Sequence, residues 1–233
     1  MMESVPDDWE RALAIVAHPD DMEYGAASAV ARWTDEGKHV GYVLVTRGEA
    51  GIDALAPEEC ARVREAEQRA SAGAVGVDTV EFLDHPDGRV EYGMRLRRDL
   101  ALAIRRHRPQ VVVTINHRES WGPGTFNMAD HRHVGLAVLD AARDAGNRWI
   151  FGGTRGPEPW GGTRFALVAG SPAPTHFVDI SEHLERGIVS LEHHAQYLAH
   201  VGTDARAFLS SVAEQAGERC GVRYATTFEL ISL

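Results

Sequence analysis

From residue 12 to about residue 146, short apolar runs alternate with longer stretches of helical period, and few folds accommodate that order. The runs fall at 12–17 (ALAIVA), 39–46 (HVGYVLVT), 78–83 and 110–115 (QVVVTI). Between the first two, Ala27, Val30, Ala31 and Trp33 recur at helical spacing up to Gly37. A helix fits 57–75, with Pro57 in its first turn and Glu58 and Glu59 favourable to its dipole. Another fits 94–107 and ends in Arg105, Arg106 and His107, suited to a C-terminus. Asp130 and His131 open a further helix with Val134, Ala137, Val138 and Ala141 on its inner face. Strand–helix alternation of this kind predicts an α/β fold, a mostly parallel sheet with helices on both faces and right-handed crossovers. Beyond a loop-rich segment at 150–163, strands fit 164–169 and 175–180, helices 181–199 and 204–218, and a last strand 224–232. A single domain over 1–233 is expected, its C-terminal third, about 150–233, decorating the sheet.

Charge and composition narrow the function. A net charge of −10 argues against a non-specific nucleic-acid binder and gives no support for an anionic membrane as partner. No apolar run approaches the roughly 18 residues of a membrane span. The N-terminal stretch lacks a basic segment followed by an apolar one, so a cytoplasmic location is expected. Cys60 and Cys220 form no CxxC pair and no disulfide framework. The 12 histidines invite a search for metal ligands.

In a parallel sheet, ligands bind outside the carboxyl ends of the strands. Four polar segments fall there: His18–Asp21, Thr46–Gly51, His85–Gly88 and 116–131. His18 and Asp21 are three residues apart, and a turn into a helix would aim both at one point as metal ligands. Asp20, between them, projects differently and is suited to address a water beside the metal. The alternative is an aspartate cap on the first helix next to an incidental histidine. His131 is the natural third ligand on the same rim, with Asp130 beside it to orient an imidazole. Its alternative is helix capping by Asp130, with His131 and His133 solvated. Two histidines and one aspartate leave a tetrahedral position open, the constellation for metal-assisted hydrolysis of an amide or ester. No GxSxG elbow, P-loop or GxGxxG offers a competing chemistry.

AHPDD (17–21), TRGEAG (46–51), Arg64-Glu65, PDG (86–88), DHRxVG (130–135) and YAxxF (224–228) resemble the LmbE-like, or PIG-L, family of zinc-dependent N-acetylglucosaminyl deacetylases. The resemblance runs from about residue 12 to the C-terminus. It implies a Rossmann-like sheet and one zinc ion per chain, another divalent ion being open, held by His18, Asp21 and His131. It implies Asp20 as general base, Arg64 in contact with substrate, and Asp87 in a loop that binds sugar hydroxyls. The implied reaction removes an acetyl group from a small N-acetylated amino sugar or its glycoside.

Two positions depart from the family pattern. Met128 stands where the family usually has a histidine that stabilises the tetrahedral intermediate, and methionine donates no hydrogen bond. Either His117, His133 or His194 substitutes, or the substrate differs, such as a non-sugar amide or a thiol conjugate. Met22 stands where glutamate is common, with Glu23 following. Trp121, in the long loop, either stacks on a sugar face or anchors the loop to the core. Glu49 either binds substrate hydroxyls or caps a turn. His183, His193, His194 and His200 fall in or near a C-terminal helix, with His193 and His200 on one face. Trp149 and Trp160 bracket a Gly/Pro-rich segment and either pack it down or form a contact in a homo-oligomer. A catalytically silent small-molecule binder is the remaining alternative, against which the spare carboxylate of Asp20 argues.

Overall fold

The computed structural model describes residues 2–152 and 156–233, so the middle of the 150–163 loop lies outside the described residues. The elements run β1 (Glu3–Ser4), β2 (Arg11–Val16), α1 (Asp21–Gly25), α2 (Ala27–Asp35), β3 (His39–Leu44), α3 (Pro57–Ala74), β4 (Thr79–Phe82) and α4 (Met94–His107). They continue with β5 (Val111–Ile115), β6 (Ser120–Gly122), β7 (Thr125–Phe126), α5 (Ala129–Gly146), β8 (Phe165–Ala169), β9 (His176–Asp179), α6 (Leu184–Glu192), α7 (Ala195–Val201), α8 (Ala205–Cys220) and β10 (Ala225–Ser232).

Strand β2 explains the layering. Along it and the residue that follows, side chains alternate between two cores, Ala12, Ala14 and Val16 facing one and Leu13, Ile15 and Ala17 the other. The first core is closed by apolar faces of α2, α6 and α8, through Val30, Ile188 and Leu209. The second is closed by α4 and α5, through Leu100, Ile104, Val134 and Val138. Burial on both faces is why β2 and β5 read as continuous apolar runs. Each fully buried Leu, Ile or Val contributes about 1.5–3 kcal/mol relative to exposure.

The eight-stranded sheet has the order β1-β9-β10-β8-β5-β2-β3-β4. Strands β4, β3, β2, β5 and β8 are parallel, as the alternation predicts. Strand β10 is antiparallel to β8 and to β9, which makes the sheet mixed toward that edge. Strand β2 pairs with β3 on one side and β5 on the other. The chain therefore reverses direction across the sheet between β2 and β5, and a crevice opens at their carboxyl ends.

Several expectations are corrected. The helix expected up to Gly37 breaks at Ala26 (φ −153°, ψ 0°), giving α1 and α2. The helix expected at 181–199 is interrupted at His193 and His194, so His193 and His200 do not share one helix. The 116–131 loop contains the small hairpin β6–β7, and β1 pairs with β9. No helix among the described residues is long and apolar enough to cross a membrane.

Candidate active site

At the carboxyl end of β2 the chain turns through Pro19 into α1. The Asp21 carboxylate makes that turn, its Oδ2 accepting the backbone N–H groups of Ala17 and His18 at 2.9 Å each. Its Oδ1 lies 3.0 Å from His131 Nε2, and its Oδ2 lies 3.7 Å from His18 Nδ1. His131 arrives from the first turns of α5, which docks against the end of β5. A methyl group on Gly135 would come within 2.6 Å of the Ile115 carbonyl, so glycine permits this approach.

Both imidazoles are oriented from outside. Asn127 donates through Nδ2 to the carbonyls of Asn116 and Arg118, which turns its Oδ1 toward His131 Nδ1 at 3.1 Å. His18 Nε2 faces Asp87 Oδ1 at 3.1 Å and Asp130 Oδ2 at 3.3 Å. With the outward N–H groups taken, His18 Nδ1 and His131 Nε2 face each other 3.2 Å apart. Two such nitrogens repel unless positive charge lies between them. Burial pulls the His18 imidazole down, but Asp130, Asp21 and Asp87 outweigh it and hold the ring well above the usual histidine range. Burial raises the Asp21 carboxyl, yet His131 and His18 hold it below the carboxylate range. His18, Asp21 and His131 thus form a buried cluster able to hold a metal ion, with donor atoms within 4.8 Å of one another. Two imidazole nitrogens and one carboxylate suit zinc and several other divalent ions.

Asp20 sits beside this cluster at φ 95°, in the left-handed region. Burial pushes its carboxyl up to about 6, opposed by the Arg64 guanidinium, whose Nη2 lies 3.2 Å from Asp20 Oδ2. Arg64 is itself buried, donates to the Pro19 carbonyl at 2.5 Å, and lies against the Tyr197 ring at 4.0 Å. It also fills the space at Gly48 and Gly51, where any Cβ would collide with it. Burial and the negative Asp20 raise the Tyr197 phenol.

His18, Asp20, Asp21, Arg64, Asp87, Trp121 and His131 all line one cavity of about 760 Å³. Asp130 and Glu49 do not line it. The Asp130 carboxylate orients His18, not the adjacent His131, and also accepts from Gly88 N and Val90 N. Glu49 takes the turn-capping alternative, its oxygens accepting from Arg47 N at 3.3 Å and Asp87 N at 2.8 Å. Asp87 faces the cavity but also holds His18 and accepts from Ala50 N. Trp121 stands edge-on to His131 at 5.5 Å, a cavity wall fixed by the β6–β7 hairpin. Met128 lines the mouth, and His117, His133 and His194 do not line the cavity. His133 bonds the Val90 carbonyl, and His194 is buried behind Asp20 next to Glu23. Trp160 is packed down onto the Pro109 carbonyl, whereas Trp149 is 87% exposed.

Asn127, Gln68, Tyr24, Tyr197 and Phe208 belong to the site or its support and carry no motif. Gln68 had a signal: it lies four residues from Arg64, on the same face of α3.

The chain is 29% identical over 226 residues to the diacetylchitobiose deacetylase of Thermococcus kodakarensis, covering 94% of this chain and 82% of that one. It is 30% identical over 176 residues to the 1D-myo-inositol 2-acetamido-2-deoxy-alpha-D-glucopyranoside deacetylase of Kineococcus radiotolerans, covering 60% of this chain and 49% of that one. Its structure is similar to that of the N,N'-diacetylchitobiose deacetylase from Pyrococcus horikoshii complexed with its inhibitor MPG, with a TM-score of 0.86, 25% identity, and coverage of 96% and 84% of the two chains. The model of the PIG-L family, GlcNAc-PI de-N-acetylase, matches residues 13–142, and the chain belongs to that family.

Proposed function

We propose that this chain is a zinc-dependent hydrolase that removes the acetyl group from a small N-acetylated amino sugar or its glycoside. One observation carries the reading: inward-facing nitrogens of His18 and His131 meet the Asp21 carboxylate, with the carboxylate of Asp20 beside them on the same cavity. Membership of the family and the deacetylases among its relatives support it. His18 Nδ1, His131 Nε2 and an Asp21 oxygen would hold the ion. A divalent ion bound there supplies Lewis acidity toward a carbonyl oxygen and acidity to a water.

The side chains do the rest. Asp20 takes the proton of the attacking water, and the water oxygen bonds to the acetyl carbon. When the C–N bond breaks, the proton held by Asp20 goes to the departing nitrogen, leaving acetate and a free amine. Arg64 fixes Asp20 through the 3.2 Å pair and the Pro19 carbonyl. Asp87 and Asp130 hold His18 in the tautomer that presents Nδ1. Trp121 offers a flat face for a sugar ring.

A second reading is favoured by the cavity wall. Ile115, Trp121, Met128, Val201, Phe208 and Val212 make much of it apolar. Such a wall suits an amide whose amine carries an apolar group, including a non-sugar amide or a thiol conjugate. Acetate release from N-acetylglucosamine, its oligosaccharides and its aryl glycosides, compared with N-acyl amines lacking a sugar, tests both. Turnover of the sugars supports the first reading; turnover confined to the others replaces it. Zinc bound with no turnover of either set would leave a silent binder.

A further inference from the structure

The proposed base has an unusual backbone. Asp20 adopts φ 95° and ψ −22°, and from that turn it lines the cavity. A buried amide holds the turn in place: Gln68 Oε1 accepts the Asp20 N–H at 3.0 Å. The two ends of an amide are alike in shape and opposite in polarity, so something must decide which end meets Asp20. Here the other end decides. Gln68 Nε2 donates to Glu23 Oε1 at 2.8 Å, and Ser71 Oγ donates to the same oxygen at 2.7 Å. On the far side, Glu23 Oε2 faces His194 Nε2 at 3.7 Å. Glu23, Gln68, Ser71 and His194 are no more than 1% exposed, and none lines the cavity. Polar groups this deep cost stability unless they are paired. Ser71, Glu23 Oε1 and Gln68 pair along a line ending at the Asp20 N–H, whereas Glu23 Oε2 and both His194 ring nitrogens make no hydrogen bond.

We propose that Gln68 and Glu23 are positioning residues for Asp20: Glu23 sets the orientation of the Gln68 amide, and Gln68 holds Asp20 with its carboxylate turned into the cavity. The inference rests on Asp20 acting as the base. Polarity passes from the carboxylate acceptor at position 23 to the amide donor, then from the amide acceptor to the backbone N–H. Exchanging the two side chains keeps an acceptor for the Asp20 N–H, a donor–acceptor pair between positions 23 and 68 with its direction reversed, and the net charge. Gln68→Glu alone sets two carboxylates against each other, and Glu23→Gln alone removes the group that fixes the amide.

The test compares zinc-loaded wild type, both single variants and the double variant Glu23→Gln/Gln68→Glu on one N-acetylated amino sugar. Metal content and the exchange rate of the Asp20 N–H are read in parallel. Each single variant should lower kcat about tenfold or more, since an ångström of misplacement costs about a hundredfold. KM should move less than about threefold and metal content should stay at that of wild type, while the Asp20 N–H exchanges faster. The double variant should recover most of kcat and the slow exchange, a coupling that independent structural losses would not produce. Single-variant effects that simply multiply in the double variant overturn the proposal, as do singles with unchanged kcat. If the single variants fail to fold, the side-chain NH₂ of Gln68 in wild type decides by NMR. One proton held in a strong hydrogen bond supports the proposal, and two equivalent, rapidly exchanging protons overturn it. A wild type that turns over no amide would defeat the hydrolase reading and leave these proton measurements to judge the positioning role.

Discussion

Asp20 holds φ 95°, a conformation that costs a non-glycine residue about 1–3 kcal/mol, and its neighbours offset that cost. Asparagine visits this region more readily than most residues and matches aspartate in shape. Asp20→Asn should therefore fold and retain the metal, while turnover falls about a hundredfold or more, the scale of a positioned proton acceptor. Elemental analysis beside a rate assay checks both halves, and undiminished turnover would remove Asp20 as base. Asp21→Ala should differ in kind. It removes the oxygen facing His131 and both caps on the strand exit, so metal retention is lost. The His and Asp chemistry was legible in the sequence because those side chains carry ligand atoms wherever the backbone places them. The roles of Asn127 and Gln68 were not, because an amide acquires direction only from tertiary partners. The same limit explains Asp130, whose nearest histidine in sequence is His131 but whose carboxylate reaches His18.

Among the elements, the contact of α5 with the end of β5 sets where His131 stands. Gly135→Ala would place a methyl group 2.6 Å from the Ile115 carbonyl and 2.8 Å from the His117 Cβ. Overpacking of this kind costs about 1–3 kcal/mol, measurable as a lower urea midpoint, with weaker metal affinity as His131 is displaced. An equally stable variant would contradict the close approach. The 116–131 loop is tied to β10 by the Arg118–Glu229 pair, with Ser171 adding a bond to Glu229 at 2.6 Å. The Arg118 bond holds the Glu229 carboxyl below its usual value, against a smaller upward push from burial. The stabilisation is therefore present above the unfolded glutamate value near 4.5 and is lost as pH falls through the lower folded value. Glu229→Gln should lower the Tm at pH 7, with the deficit shrinking below about pH 4. A deficit independent of pH would contradict the assignment. Long elements were legible from periodicity, whereas β1, β6 and β7 are too short to show a period. The break at Ala26 had only the preceding Gly25 to mark it, since alanine itself favours helix.

For the whole molecule, the position of β2 between β3 and β5 joins two distant segments into one crevice, and alternation along the chain was enough to foresee that rim. The antiparallel insertion of β10 was not foreseen, because an apolar strand carries no mark of its direction. Occupancy of the His18–Asp21–His131 cluster should couple to global stability. Free zinc at about a hundred times its Kd would add about 2.7 kcal/mol, so a chelator should lower the Tm and zinc should restore it. The most direct measurement is anomalous diffraction at the zinc edge from crystals of the zinc-loaded protein. A single peak touching His18 Nδ1, His131 Nε2 and an Asp21 oxygen is expected. A peak on the other face of His18, between Asp87 and Asp130, or no peak beside His131, would contradict it.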